Sequence, residues 1–265
     1  MIKLVAVDMD GTFLNSHSDY DHEAFRDVFE KMKDRDMMFV IASGNQAGAM
    51  YERIRPFGDD IYFVCDNGAY IGKGQSLIKT KTLPQDDALK ILDLLLPYDN
   101  LNLVYSCEKA AHLLKKDKYC DSIIHKYYRD VVYEDDLKTV TDPVLKFSIR
   151  DPECHIKDYI NILQPLLPEG YMAMTTGNEW FDIISIQATK GEGIRVLQEA
   201  YHLSEDECMC FGDQMNDMSL FEVCTYSYAM ANAVPELKKK AYGIAPSNDD
   251  NGVIKTILDT IKKQG

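Results

Sequence analysis

MIKLVAVDMDGTFLN, residues 1–15, begins with a short apolar run that ends in two carboxylates. Residues 3–7, KLVAV, have the composition of a buried strand. Asp8 and Asp10 follow directly, on either side of Met9, and Gly11-Thr12 then provides a turn. The pattern predicts a strand that delivers two acidic side chains to one edge of a sheet.

Strand-like and helix-like runs alternate around this segment. Residues 22–35, HEAFRDVFEKMKDR, place apolar side chains on one helical face, and residues 37–43, MMFVIAS, again have the composition of a strand. The alternation returns late in the chain, with helical residues 190–202, strand-like residues 208–212 and a final helix beginning near Asp249. This βαβ rhythm predicts an α/β fold with a doubly wound, Rossmann-like parallel sheet.

The order of helix-like and strand-like runs changes between Pro84 and Ile184. A helix-like run is followed by strand-like runs such as LNLVYS at 101–106 and VLKFSIR at 144–150. These patterns predict an inserted α+β domain, so that the chain leaves the parallel sheet and later returns to it. We therefore expect a core domain of residues 1–83 and 186–265 and an inserted domain of residues 84–185.

Charge and composition argue against several classes of protein. The formal net charge of −14 over 265 residues would repel a phosphate backbone, so nucleic acid is not an expected partner. The start of the chain lacks a secretion-signal pattern and no apolar run reaches membrane-spanning length, which predicts a cytoplasmic location. The seven cysteines are scattered without CxxC pairs and the six histidines lack ligand spacing, which argues against a disulfide framework or a zinc site.

Four polar clusters follow apolar segments, namely Asp8 with Asp10, Ser43, Lys190, and residues 213–217. The carboxyl ends of parallel strands share one edge, so these groups are expected to converge. Asp8, Asp213 and Asp217 would offer the hard oxygen ligands that Mg²⁺ prefers, although Asp217 is about equally well explained as a helix cap. Ser43 and Lys190 would then hold phosphate oxygens.

The two carboxylates after the first strand suggest separate chemical roles. In one mechanism Asp8 attacks phosphorus to give an aspartyl phosphate, while Asp10 protonates the leaving oxygen and later activates the hydrolytic water. That mechanism requires one carboxylate to be ionised and the other to carry a proton, so their environments must differ.

These motifs resemble those of the haloacid dehalogenase superfamily of phosphatases, in particular its Cof-type branch with a large α/β cap domain. Residues 8–12 (DMDGT) match the first motif, Ser43 the second, Lys190-Gly191 the third and residues 212–217 (GDQMND) the fourth. The likeness covers nearly the whole chain. It implies that Asp8 is the nucleophile, that Asp10 is the acid/base with its backbone carbonyl on Mg²⁺, and that Asp213 is a further metal ligand.

The resemblance also implies the surroundings of the reacting phosphate. Ser43, Gly44, Lys190 and Asn216 would contact it, Asp217 would lie in the outer coordination shell of the metal, and the inserted domain would be the cap that reads the substrate. One position departs from the family, because many relatives have Arg after the Gly of the second motif and this chain has Asn45. The loss of a guanidinium removes a bidentate contact and is expected to shift substrate preference or weaken binding.

The expected activity is Mg²⁺-dependent hydrolysis of small phosphorylated metabolites, with sugar phosphates first and nucleotide-like or vitamin phosphates next. A phosphomutase is the alternative among enzymes, and it would return the phosphoryl group to the sugar. A phosphoaccepting receiver or a metabolite-sensing module is the alternative outside enzymes. Receiver modules are much shorter than this chain, and Asp10 would hydrolyse the phosphate that they must retain.

Overall fold

The computed structural model describes residues 1–264, which fold around two β-sheets. The strands are β1 (Leu4–Val7), β2 (Met38–Ala42), β3 (Tyr62–Cys65), β4 (Tyr70–Lys73), β5 (Ser76–Thr80), β6 (Asn102–Cys107), β7 (Ala111–Leu114), β8 (Val131–Glu134), β9 (Val144–Arg150), β10 (Tyr171–Thr175), β11 (Trp180–Ser185), β12 (Cys208–Gly212), β13 (Tyr226–Met230) and β14 (Gly243–Ala245). The helices are α1 (His22–Lys33), α2 (Ala47–Arg53), α3 (Gln85–Leu95), α4 (Asp121–Ile124), α5 (Ile156–Leu163), α6 (Lys190–Tyr201), α7 (Met218–Phe221), α8 (Pro235–Lys238) and α9 (Gly252–Gln264).

The first sheet has the order β14-β13-β12-β1-β2-β3-β4-β5. Its strands from β14 to β3 are parallel, and β4 and β5 form an antiparallel hairpin at one edge. Every residue of β1 is buried, since Val5 and Val7 pack in the cluster with α1 and α9 while Leu4 and Ala6 pack in the cluster with α6 and α7. Helices on both faces of a mostly parallel sheet confirm the predicted doubly wound α/β fold.

The second sheet has the order β10-β11-β9-β6-β7-β8, and all of its strands lie between residues 102 and 185. Its pairs are antiparallel except β7 with β8. One face of this sheet carries Phe147 and Phe181 into an apolar cluster with α3 and α5. The sheet therefore has a hydrophobic core of its own, separate from the core around β1.

Local sequence explains the ends of the helices that flank the first sheet. The Asp21 carboxylate accepts a hydrogen bond from the Ala24 amide, which caps α1, and the apolar stripe predicted for that helix is buried. The last helix begins at Gly252, a few residues later than the sequence suggested. Residues 248–250 form a 3₁₀ turn, and Asn251 has a left-handed φ of 55° that interrupts the helical path before Gly252. Within residues 1–264, no helix is both long enough and apolar enough to cross a membrane.

Candidate active site

The ends of three neighbouring strands bring the predicted residues together. Val7 lies opposite Phe211 of β12 and Ile41 of β2. The residues that follow these strands, Asp8, Asp213 and the segment from Ser43, therefore emerge at the same edge of the sheet. Lys190 reaches this edge from the first turn of α6, whose start is fixed by a hydrogen bond from the Glu192 amide to the Thr189 hydroxyl.

Lys190 is the buried cation of the cluster. Its Nζ donates to Asp8 Oδ1 and to Asp217 Oδ1, each at 2.6 Å, and the residue is only 1% exposed. Burial by itself would lower the pKa of Lys190, but the carboxylates of Asp217 and Asp8 outweigh it and hold that pKa above its usual value. Lys190 thus stays charged at neutral pH and ties two of the acidic side chains together.

Three carboxylates form a compact oxygen cluster beside this lysine. Asp8, Asp213 and Asp217 are buried, and one carboxylate oxygen from each lies within 4.8 Å of the others. Burial raises the pKa of Asp8 well above its usual value, and burial together with the charge of Asp217 raises the pKa of Asp213 to about 6. Crowded carboxylates of this kind are stabilised in the ionised form by a hard divalent cation, so the donor set fits Mg²⁺.

Asp217 has both of its oxygens engaged by the protein. Oδ2 accepts from the backbone N–H groups of Asp213 at 2.9 Å and Gln214 at 3.1 Å, while Oδ1 accepts from Lys190. These contacts close the turn after β12 and hold Lys190 in place. Asp213 receives only longer contacts, from the Thr12 hydroxyl at 3.2 Å and Gln214 Nε2 at 3.4 Å, so Asp217 is the more firmly engaged of the two carboxylates.

Asp10 lies at the exposed mouth of the cluster, whereas Asp8 is 7% exposed. Oδ2 of Asp10 accepts a hydrogen bond from Asn45 Nδ2 at 3.0 Å. The backbone N–H of Asn45 donates to Ser43 Oγ at 3.1 Å. The residue that departs from the family pattern is therefore in direct contact with the second carboxylate of the first motif, a contact that motif spacing could not reveal.

The turn after Asp10 fits tightly against Asp213. Gly11 has a φ of +80°, and a Cβ added there would lie 2.6 Å from Asp213 Oδ2. The Thr12 hydroxyl donates to Asp213 Oδ1 at 3.2 Å, and Asn232 Nδ2 donates to the Gly11 carbonyl at 2.7 Å. Glycine at position 11 is thus required both by the backbone conformation and by the space that the carboxylate occupies.

The other predicted phosphate contacts lie in the turns around this edge. Ser43 is 2% exposed directly after β2, and Gly44 beside it is half-buried. Asn216 is half-buried in the turn that contains Asp217. The structure brings all of these groups to one edge of the sheet.

A buried polar network, which sequence reasoning missed, joins the second sheet to the loop after β2. Lys146 of β9 donates to the Gly44 carbonyl at 2.6 Å and to Asp182 Oδ2 at 2.7 Å. Asp182 also accepts from Asn67 Nδ2 at 2.6 Å and from the Ser148 hydroxyl at 2.6 Å. The sequence signal for this network was Lys146 itself, a lysine two residues after the start of a strand-like run. Its partner Asp182 lies 36 residues away along the chain, so spacing could not pair the two.

Known proteins are similar to this chain over nearly its whole length. The model of the haloacid dehalogenase-like hydrolases matches residues 5–257. The 5-amino-6-(5-phospho-D-ribitylamino)uracil phosphatase YbjI of Escherichia coli (strain K12) is 29% identical, with 99% of this chain and 97% of that protein covered. YwtE of Bacillus subtilis (strain 168), a phosphatase with the same descriptive name, is 27% identical over 95% of this chain and 96% of its own. The crystal structure of SMU.1108c from Streptococcus mutans UA159 matches with a TM-score of 0.90 at 26% identity, with 99% of this chain and 100% of that chain covered. The chain therefore belongs to the haloacid dehalogenase-like hydrolase family, as an enzyme of the phosphatase kind that its motifs indicated.

Proposed function

We propose that the protein is a Mg²⁺-dependent phosphatase that hydrolyses small phosphorylated metabolites through an aspartyl phosphate on Asp8. The observation that carries this proposal is the arrangement of Asp8, Lys190 and Asp213 at one sheet edge, with Asp10 at its open side. A nucleophile, a buried cation, a metal-binding oxygen cluster and an accessible acid/base are the parts that phosphoryl transfer needs.

The metal would be held by Asp8, Asp213 and the backbone carbonyl of Asp10. The oxygen-only donor set and the crowding of the carboxylates support this assignment. Bound there, Mg²⁺ would neutralise the carboxylates and stabilise the charge that develops on the transferred phosphoryl group. Asp217 would act through its contacts with Lys190 and the backbone of Asp213.

Asp8 begins the reaction from the carboxylate oxygen that does not pair with Lys190. As the Oδ2–P bond forms, the ester P–O bond breaks, and Asp10 gives its proton to the leaving oxygen. In the second step Asp10 takes a proton from water as the water oxygen bonds to phosphorus. The P–Oδ2 bond then breaks, which restores Asp8 and releases inorganic phosphate.

The remaining polar groups would hold the phosphoryl oxygens. Lys190 already donates to Asp8, so a phosphoryl group on that carboxylate would lie within reach of the same ammonium. The hydroxyl of Ser43, the backbone at Gly44 and the amide of Asn216 would contact the other oxygens. Asn45 would keep the Asp10 carboxylate aimed at the leaving group.

Residues 84–185 would form the cap over this site and select the leaving group. The contact of Lys146 with Gly44 supports a cap that sits directly on the phosphate loop. We propose that the protein acts in the cytoplasm. Sugar phosphates are the first substrate class to test. The names of the YbjI and YwtE relatives add a phosphorylated ribitylaminouracil, which carries a sugar-alcohol phosphate, to that panel.

The proposal is tested by the release of inorganic phosphate from a panel of phosphorylated metabolites, with Mg²⁺ or with EDTA. We expect metal-dependent release by the wild type and no release by Asp8→Asn, which keeps the side-chain shape and loses the nucleophile. Release that survives in Asp8→Asn would refute the covalent mechanism. An isomerised sugar phosphate without net phosphate release would identify a mutase instead.

A further inference from the structure

We infer that the hairpin β6–β7 carries a second metal site, for a transition cation such as Zn²⁺, formed by Cys107, His112 and Asp142. One ligand atom from each of these residues lies within 4.8 Å of the others. The site belongs to the second sheet and shares no residue with the cluster around Asp8.

The backbone explains how three distant positions meet. Tyr105 of β6 lies opposite His112 of β7, and residues two apart on a strand share a face, so Cys107 and His112 lie on the same side of the hairpin. Asp142 lies in the loop before β9, which is held to the hairpin by a hydrogen bond from the Glu108 amide to the Pro143 carbonyl at 3.0 Å. The pairing of β6 with β9 shifts register between Ser106 and Cys107, where β9 carries one extra residue, Leu145.

Asp142 is oriented so that one oxygen is held and the other is left free. Its Oδ2 accepts from the backbone N–H groups of Lys109 at 3.0 Å and Ala110 at 3.3 Å. Its side chain is only 10% exposed, and Oδ1 is buried without a hydrogen-bond partner among residues 1–264. A buried carboxylate oxygen without a partner is costly, and a cation at this point would remove the cost.

His112 is oriented in a matching way. Its Nδ1 lies 3.0 Å from Glu134 Oε1, which fixes the ring and leaves Nε2 pointing toward Asp142. This Nε2 is buried, has no hydrogen-bond partner in the described part of the chain, and lies 3.6 Å from Asp142 Oδ2. A carboxylate that holds the outer nitrogen of a histidine is the usual support for a metal-binding imidazole.

The donor set decides the class of metal. One thiolate, one imidazole and one carboxylate suit Zn²⁺ or a similar borderline cation, whereas Mg²⁺ prefers oxygen alone. A thiol binds such a cation as the thiolate, so metal binding would displace the proton of Cys107. Of the three ligands, Cys107 also lines a cavity of about 130 Å³ between the two sheets.

A protonated His112 between Glu134 and Asp142 is the other explanation of the same contacts. The positive charge on the imidazole would compensate both carboxylates, but Cys107 would then make no contribution to the cluster. The two explanations therefore differ in whether the thiol takes part. The sequence argument against a zinc site applied to ligands spaced along one segment, whereas these three converge from a hairpin and a remote loop.

The test is a titration of the full-length, metal-free protein with Co²⁺ in excess Mg²⁺, which keeps the oxygen cluster occupied. We expect thiolate-to-cobalt absorption that saturates at one equivalent and is abolished by competing Zn²⁺. Cys107→Ser should remove the absorption, and Glu134→Gln should weaken Co²⁺ binding by about 10- to 100-fold. Cys154→Ser, which changes an exposed cysteine outside the site, is the matched control and should behave as the wild type.

Either of two absorption results would overturn the site. The first is a wild type without thiolate absorption, and the second is absorption that persists unchanged in Cys107→Ser. Cys107→Ser places a hydroxyl at a buried position, and this variant could fail to fold. Asp142→Asn therefore provides a second variant. It keeps the side-chain size and should weaken Co²⁺ binding at least tenfold, so unchanged affinity in a folded Asp142→Asn protein would also refute the site.

Discussion

Replacing Gly11 by alanine tests whether the turn after Asp10 shapes the metal-binding carboxylates. Gly11 has a φ of +80°, where an L side chain costs about 1–2 kcal/mol. The added Cβ would also lie 2.6 Å from Asp213 Oδ2, closer than nonbonded carbon and oxygen can approach, so the carboxylate must move. We expect Gly11→Ala to lose about 2–8 °C in Tm and to need about 10- to 100-fold more Mg²⁺ for half-maximal phosphatase activity.

Gly170→Ala is the matched control for this substitution. Gly170 has a similar φ of +90°, but nothing lies within 4 Å of the position where its Cβ would be. It should show a comparable loss of Tm with an unchanged Mg²⁺ requirement, because only the conformational cost is shared. The assay is phosphate release against Mg²⁺ concentration for both variants. An unchanged Mg²⁺ requirement in Gly11→Ala would refute the assignment of Asp213 to the metal.

Three further predictions concern Asn45, Asp66 and Lys146. Asn45→Ala removes a hydrogen bond worth about 0.5–1.5 kcal/mol from the acid/base carboxylate, so kcat should fall about 2- to 10-fold on a sugar phosphate. The first step on p-nitrophenyl phosphate, followed as the burst of p-nitrophenolate in the first turnover, should change little because that leaving group needs no proton, and an equal loss in this burst rate would contradict the positioning role. Burial raises the pKa of Asp66 to about 6 from 3.8, so the folded state holds this proton more tightly than the unfolded chain. The resulting stability is present at low pH and is lost as pH rises through 6, and Asp66→Asn should remove about 3 kcal/mol of that pH dependence in urea unfolding. Lys146→Met leaves the Asp182 carboxylate buried without its cation and should cost about 3–5 kcal/mol in the same assay, whereas Lys79→Met at an exposed position should cost almost nothing. A loss below 1 kcal/mol for Lys146→Met would show that the buried network is not fully formed in solution.

The sequence predicted that Asp8, Ser43 and Asp213 meet at one edge of the sheet because each of them comes directly after a strand. A parallel sheet aligns the ends of its strands, so the position of a residue relative to a strand is enough to place it. Asp8, Ser43 and Asp213 all follow this rule. Lys190 does not follow it, because the strand before it, β11, belongs to the second sheet, and it reaches the edge as the first residue of α6, which leads back into the first sheet.

Side-chain contacts between distant segments were beyond the same reasoning. Nothing in the spacing of Asn45 indicates that it donates to Asp10. That hydrogen bond depends on how the loop after β1 and the loop after β2 are positioned relative to each other. The pair of Lys146 and Asp182 depends on the register of β9 against β11, where Phe147 lies opposite Ile183. Strand periodicity predicts faces, whereas pairing between strands is set by the packing of the whole sheet.

The most direct test of the account is whether Asp8 carries the phosphoryl group during turnover. Asp10→Asn should be mixed with p-nitrophenyl phosphate and Mg²⁺, quenched in acid within the first turnover, and digested for mass spectrometry. We predict a burst of one nitrophenolate per enzyme and a phosphorylated peptide with the modification on Asp8, because the first step proceeds without an acid while the second lacks its base. Phosphate release without any phosphorylated Asp8 would contradict the covalent mechanism.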